Sequence, residues 1–143
     1  MKNSMKDNVV IAVNLLAGII MAAAPQLWAK PCGGMMTLEN GNQAHMRCFY
    51  SGQALVILGI ILLVNAIVMF FASNKLQGGI VAIVTSILAA LVTTDTGLGI
   101  GICAHAEMAC HVMASWSRLA AGVAIITGII LIIFSMKSEK KYL

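Results

Sequence analysis

Charge is what this chain has least of. Only 10% of its 143 residues are Asp, Glu, Lys or Arg, while 60% are hydrophobic, and the mean hydropathy is +0.94. A soluble domain carries about one-quarter charged residues, and a chain this small has too little interior to hide so much apolar surface. The shortage excludes an ordinary water-soluble domain and points to an integral membrane protein. Other absences narrow the function. There is no nucleotide-binding motif, so the chain cannot energise transport alone. It also lacks the Cys-x-x-Cys of dithiol oxidases and the Cys-x-x-Cys-His of haem attachment. The net charge of +4 is no sign of a nucleic-acid partner, because the basic residues flank apolar runs and no aromatic–basic interleaving accompanies them.

Four apolar runs are present, at about 8–29, 51–72, 78–95 and 117–136, separated by outer loops at about 30–50 and 96–116. Each approaches the length that crosses a hydrocarbon core of about 30 Å. The expected fold is an all-α, four-transmembrane-helix bundle forming one membrane domain in the lipid bilayer. Lys2 and Lys6 ahead of the first run resemble a signal peptide. Leu27-Trp28-Ala29 is a poor cleavage site, however, and the residues before Cys32 do not make a lipoprotein one, so the first run is read as a retained span. Lys2, Lys6, Lys75, Lys137, Lys140 and Lys141 fall on one side, against Lys30, Arg47 and Arg118 on the other. This bias predicts both termini in the cytoplasm and both cysteine loops outside it, with Trp28, Tyr50 and Trp116 near the outer interface.

The chemistry is concentrated in the loops. Cys103-Ala104-His105-Ala106-Glu107-Met108-Ala109-Cys110-His111 has an earlier echo in Cys32 and His45-Met46-Arg47-Cys48. Each loop thus carries Cys…Met-x-Cys, and Gly59-Ile60-Ile61-Leu62 is matched by Gly128-Ile129-Ile130-Leu131. Two parallel hairpins, roughly 8–72 and 78–136, form an approximate internal repeat. Small residues at four-residue spacing mark helix-packing faces: Gly78, Ala82, Ser86, Ala90 and Thr94 in the third run, Ala120, Ala124 and Gly128 in the fourth, Asn14, Gly18 and Ala22 in the first. Asn14 and Asn65, inside the spans, are expected to hydrogen-bond between helices. Asp95 is either an interface cap or an intramembrane functional carboxylate.

Three readings of the loops compete. Cys32, Cys48, Cys103 and Cys110 in an oxidising compartment fit a disulfide framework, with within-loop pairing following the repeat. A straight helix over 103–110 would separate its ends by roughly 10 Å, beyond a disulfide's reach of about 7 Å, so this pairing requires a turn. The second reading is a metal or haem site using His105, Met108 and His111, with Met46 and His45 from the first loop. Thioether and thiolate ligands suit Cu(I), and imidazole suits copper, zinc or haem iron, although Cys-x6-Cys is not a standard zinc spacing. The third is a thiol–disulfide oxidoreductase like the quinone-coupled membrane thiol oxidases, from which Cys-x15-Cys and Cys-x6-Cys depart. No residue is assigned a catalytic role, and the expectation is a non-enzymatic protein.

Pro31-Cys32, Met46-x-Cys48 with Gly52, Gly101-Ile102-Cys103 and Met108-x-Cys110-His111 together resemble a family of small bacterial four-span membrane proteins whose shared domain has no assigned function. The similarity covers essentially the whole chain. It implies the bacterial cytoplasmic membrane and, because members are often encoded near ABC-type permeases of the macrolide-exporter kind, an accessory place beside such a permease. Phe49 stands in the first loop where His111 stands in the second, a departure from symmetric Met/His sites. Homo-oligomerisation is left open.

Overall fold

The computed structural model describes residues 2–72, 74–105 and 107–141; Ser73 in the short connector and Ala106 in the second cysteine loop lie outside them. Four helices, α1 (Lys2–Leu27), α2 (Arg47–Phe71), α3 (Lys75–Val92) and α4 (Ala109–Lys140), are each long and apolar enough to cross a membrane. They pack as a multi-pass bundle. α1 lies against α2 and α4, α3 lies against α4 and α2, and the diagonal pairs hardly touch. Two short strands, β1 (Met35–Thr37) and β2 (Gln43–His45), form an antiparallel hairpin in the first loop that hydropathy did not reveal. The helices also overrun their apolar outlines. α2 begins at Arg47 rather than near 51, and α4 at Ala109 rather than near 117, which draws Cys48, Cys110 and His111 into helices.

In lipid the hydrophobic effect does not hold helix to helix, so close contact must. The sequence supplies glycine where backbones meet. A Cβ built on Gly59 of α2 would lie 2.6 Å from the Ala22 nitrogen of α1, and one on Gly79 of α3 would lie 2.8 Å from the Gly128 oxygen of α4. Both hairpins therefore close on a glycine crossing. Both seams between the hairpins carry an amide. Asn14 donates to Thr127 Oγ1 at 3.3 Å across α1–α4, and Asn65 donates to the Gly78 carbonyl at 2.9 Å across α2–α3. The hydroxyls of Ser86, Ser117 and Thr127 bond back to carbonyls of their own helices, which satisfies them without water.

The repeat is visible in the burial register. The buried residues of α2 are Cys48, Ser51, Gly52, Leu55, Gly59, Leu62, Ala66 and Met69. Moved 62 positions along the chain, they fall on Cys110, Met113, Ala114, Ser117, Ala121, Ala124, Gly128 and Leu131, every one buried in α4. The match runs through the helix faces rather than the Gly-Ile-Ile-Leu identity, whose two copies are out of this register. The end of the bundle opposite the cysteines carries an Asp7–Lys75 ion pair joining α1 to α3.

The glycine crossing is testable. Gly59→Ala should cost about 1–3 kcal/mol and lower the unfolding temperature in detergent, because it would meet the backbone and Cβ of Ala22, which cannot swing aside. Gly122→Ala, with nothing within 4 Å of its Cβ, should leave that temperature unchanged.

Candidate metal-thiolate centre

Both Met-x-Cys motifs prove to be helix starts. Met46 and Met108 are the N-cap residues of α2 and α4, with extended backbones at φ −62°, ψ 154° and φ −80°, ψ 147°. The amides of Phe49 and His111 each donate to the capping methionine's carbonyl at 3.0 Å. Methionine cannot accept the first-turn N–H groups as Ser, Thr, Asp or Asn would, and neither helix has a side-chain cap. Cys48 and Cys110 thus occupy the same second helical position at two adjacent, uncapped N-termini, where unpaired N–H groups and the helix dipole favour negative charge.

The loop cysteines are brought to these ends by different devices. After Cys32 the chain runs through the hairpin, whose Met35–His45, Met36–Ala44 and Thr37–Gln43 pairs turn it back. Gly41 takes φ +78° at the tip, and Met46 N–H closes on the Gly34 carbonyl at 3.3 Å. The second loop folds back on α3 through Gly101 N–H to the Val92 carbonyl at 3.2 Å. Gly101 has φ +81°, and a Cβ there would meet Asp95 Oδ1 at 2.8 Å, so the turn requires glycine on both counts. Arg118 of α4 fixes the end of α3 by donating to the Thr93 carbonyl at 3.0 Å and its hydroxyl at 3.2 Å. Two donors then hold the segment leading to Cys103. Ser51 Oγ of α2 donates to the Gly101 carbonyl at 2.7 Å, and His111 Nε2 of α4 bonds the Cys103 carbonyl at 2.9 Å.

The four sulfur atoms meet. Cys32, Cys48, Cys103 and Cys110 place their Sγ atoms within 4.8 Å of one another, with Cys48 and Cys110 buried and Cys32 and Cys103 half-buried. The nearest approach given by the hydrogen-bond geometry is Cys103 Sγ–H to Cys48 Sγ at 3.3 Å. Four thiolates around one ion at about 2.3 Å have sulfurs about 3.8 Å apart, so the cluster needs only small adjustments to become a tetrahedral ligand set. All four are thiols in this structure. The turn demanded between Cys103 and Cys110 is present, with Met108 N–H donating to the His105 carbonyl at 3.3 Å.

Electrostatics separates the two loop thiols. Burial pushes the Cys32 thiol up, but hydrogen bonding with the Cys110 backbone and with the neighbouring cysteine side chains outweighs burial and holds it below the usual thiol value. Burial likewise raises the Cys103 thiol, and bonds from its own proton to Cys48 and Cys110 raise it further. Of the two loop thiols, Cys32, beside the N-terminus of α4, therefore ionises at the lower pH.

The other residues singled out from the sequence surround this centre without joining it. His105 is exposed in the turn, Met108 caps α4, and His111 serves Cys103 through its carbonyl. His45 stacks on Phe49 at a centroid separation of 4.3 Å, and its Nδ1 is buried without a partner. Met46 lies over Gly34. Asp95 is exposed and stands 3.9 Å from an exposed Arg47, a pair worth little in water. It is outside the apolar part of α3, which ends at Val92. Ser51 was missed by sequence reasoning. Its signal was a hydroxyl one turn after Cys48, on the buried face.

A family model for a domain of unknown function, DUF4418, matches residues 14–136. The chain belongs to that family. No curated protein and no solved structure matches it. The match takes in both hairpins and all four cysteines.

In reduced, chelator-treated protein, iodoacetamide should modify Cys32 before Cys103 at neutral pH. A thiol held below its usual value is ionised at lower pH, and only the thiolate reacts. The pH midpoint of the alkylation rate should lie below that of a free cysteine peptide for Cys32 and above it for Cys103, as read by peptide mass spectrometry.

Proposed function

We propose that this DUF4418 protein is a non-enzymatic membrane protein that holds one soft metal cation in a tetrathiolate centre at the loop end of its bundle. The convergence of the four Sγ atoms within 4.8 Å carries the reading. Zn2+ is the first candidate, because four-sulfur tetrahedral sites suit it, and Cu(I) is the second, being drawn to the same soft donors. A Zn2+ ion with four thiolates bears two net negative charges, and the two uncapped helix N-termini supply partial positive charge where it is needed. Four protein ligands leave no open position for water, which suits a structural centre and disfavours hydrolytic chemistry. A groove of about 490 Å3 between the end of α1 and the start of α2, bordered by Lys30, Pro31 and Gly33, gives a path to the Cys32 segment.

The Lys and Arg bias supports placing this end outside the bacterial cytoplasmic membrane, with both termini inside. An accessory place beside an ABC-type permease rests on the family resemblance. It is compatible with a closed metal centre that braces the outer end of the bundle. Labelling of intact cells with a membrane-impermeant maleimide would check the sidedness, and pull-down in mild detergent would check the permease.

The direct test is metal content and cobalt substitution. Reduced protein should bind one Zn2+ per chain, and Co2+ should give thiolate charge-transfer bands and tetrahedral d–d absorption. Replacement of any of the four cysteines by serine should abolish the tetrathiolate spectrum, and affinity should fall as pH falls, because protons compete for the thiolates. A protein that takes up neither Zn2+ nor Cu(I) would overturn the reading. Ser51→Ala and His111→Phe should each weaken Zn2+ binding by roughly 10–100-fold, the usual cost of losing a group that orients a ligand. His111→Gln, which keeps a donor, should recover part of it.

A further inference from the structure

We infer that the centre is redox-regulated, with oxidation joining Cys48 to Cys103 and expelling the cation. This deepens the metal-thiolate reading and rests on it, but it commits to a disulfide pairing that can be judged separately. Spacing along the chain favours pairing inside each loop, as the sequence led us to expect. The geometry favours pairing between hairpins. Cys48 Sγ and Cys103 Sγ stand 3.3 Å apart, little more than about 1 Å beyond the roughly 2.05 Å of an S–S bond.

The two sulfurs also have the right division of labour. Cys103 is half-buried in a non-helical segment, so an oxidant reaches it and the backbone there has room to shift. Cys48 is fully buried at the start of α2, out of an oxidant's reach yet beside Cys103. Ser51 and His111, one from each hairpin, hold the Cys103 segment against Cys48 in this arrangement.

The chemistry is exchange with a small disulfide, RSSR. The metal-bound Cys103 thiolate attacks one sulfur of RSSR, forming a mixed disulfide and releasing RS−. The Cys48 thiolate then attacks the Cys103 sulfur, closing the protein disulfide and releasing the second RS−. RSSR gains two electrons, the protein pair loses two, and each RS− takes a proton from water. Only Cys32 and Cys110 remain as ligands, so the cation leaves as a divalent ion. The resulting bond ties the two hairpins together covalently, where the metal had tied them by coordination.

The experiment treats zinc-loaded protein in detergent with oxidised glutathione, reading released zinc with a chromogenic chelator and mapping disulfides by tryptic mass spectrometry. Cleavage after Arg47 and Lys75 puts Cys32, Cys48 and the Cys103/Cys110 pair on three separate peptides. The expected result is one zinc released per disulfide, with the Cys48 peptide joined to Cys103. Cys32→Ser should still form this bond, and Cys103→Ser should not. Cys32 joined to Cys48, Cys103 joined to Cys110, or zinc released without a disulfide would overturn the inference. Should the wild-type protein take up neither zinc nor Cu(I), the metal-thiolate reading fails. The pairing is then read from the oxidised metal-free chain, where a within-loop pattern would defeat it independently.

Discussion

Close approach of helix backbones is the constraint on which the rest of this molecule depends. Lipid offers no hydrophobic gain for pressing one apolar helix against another, so association needs surfaces that fit. Gly59 against Ala22, and Gly79 against Gly128, provide them. With each hairpin closed in this way, the starts of α2 and α4 stand at the same end of the bundle. The distance between Cys48 and Cys110 is thus set by packing along the spans, not by the loops.

The polar residues act on that frame in two tiers. Within the spans, Asn14 and Asn65 each bond across a seam between hairpins, where no water competes. At the loop end, Ser51 and His111 spend their donors on the backbone around Cys103. The first tier fixes how the halves meet, and the second delivers a sulfur into the space between them. The uncapped starts of α2 and α4 then make that space electropositive, which is the environment a cluster of thiolates requires.

Composition and run length made the four-span bundle legible from the sequence, because a bilayer leaves few alternatives to apolar helices. The repeat was legible in Cys…Met-x-Cys, although the Gly-Ile-Ile-Leu identity pointed to the wrong register. Burial shows the true offset, since buried positions recur with the helix and not with residue type. The helix starts were misplaced because Arg47, Tyr50, Trp116 and Arg118 look like loop residues to a hydropathy scale, while at a membrane interface they sit on helices. The centre itself was only half legible. The sequence marked all four cysteines but grouped them by proximity along the chain, beside His105, Met108 and His111, which the structure places around the sulfurs. What joins the two loops is a tertiary fact, carried by Ser51 and by α2 lying parallel to α4.

The constant displacement of 62 residues between α2 and α4 makes the cluster a shared product of the two halves. Each hairpin contributes one loop sulfur and one helix-start sulfur, so neither holds more than half of the cluster. Two identical hairpins, related by a two-fold axis along the membrane normal, would supply the same four sulfurs. The present chain has the form of such a dimer fused end to end. The halves differ in detail: the first loop carries a β-hairpin, the second a glycine turn, and histidine follows the helix-start cysteine in only one of them.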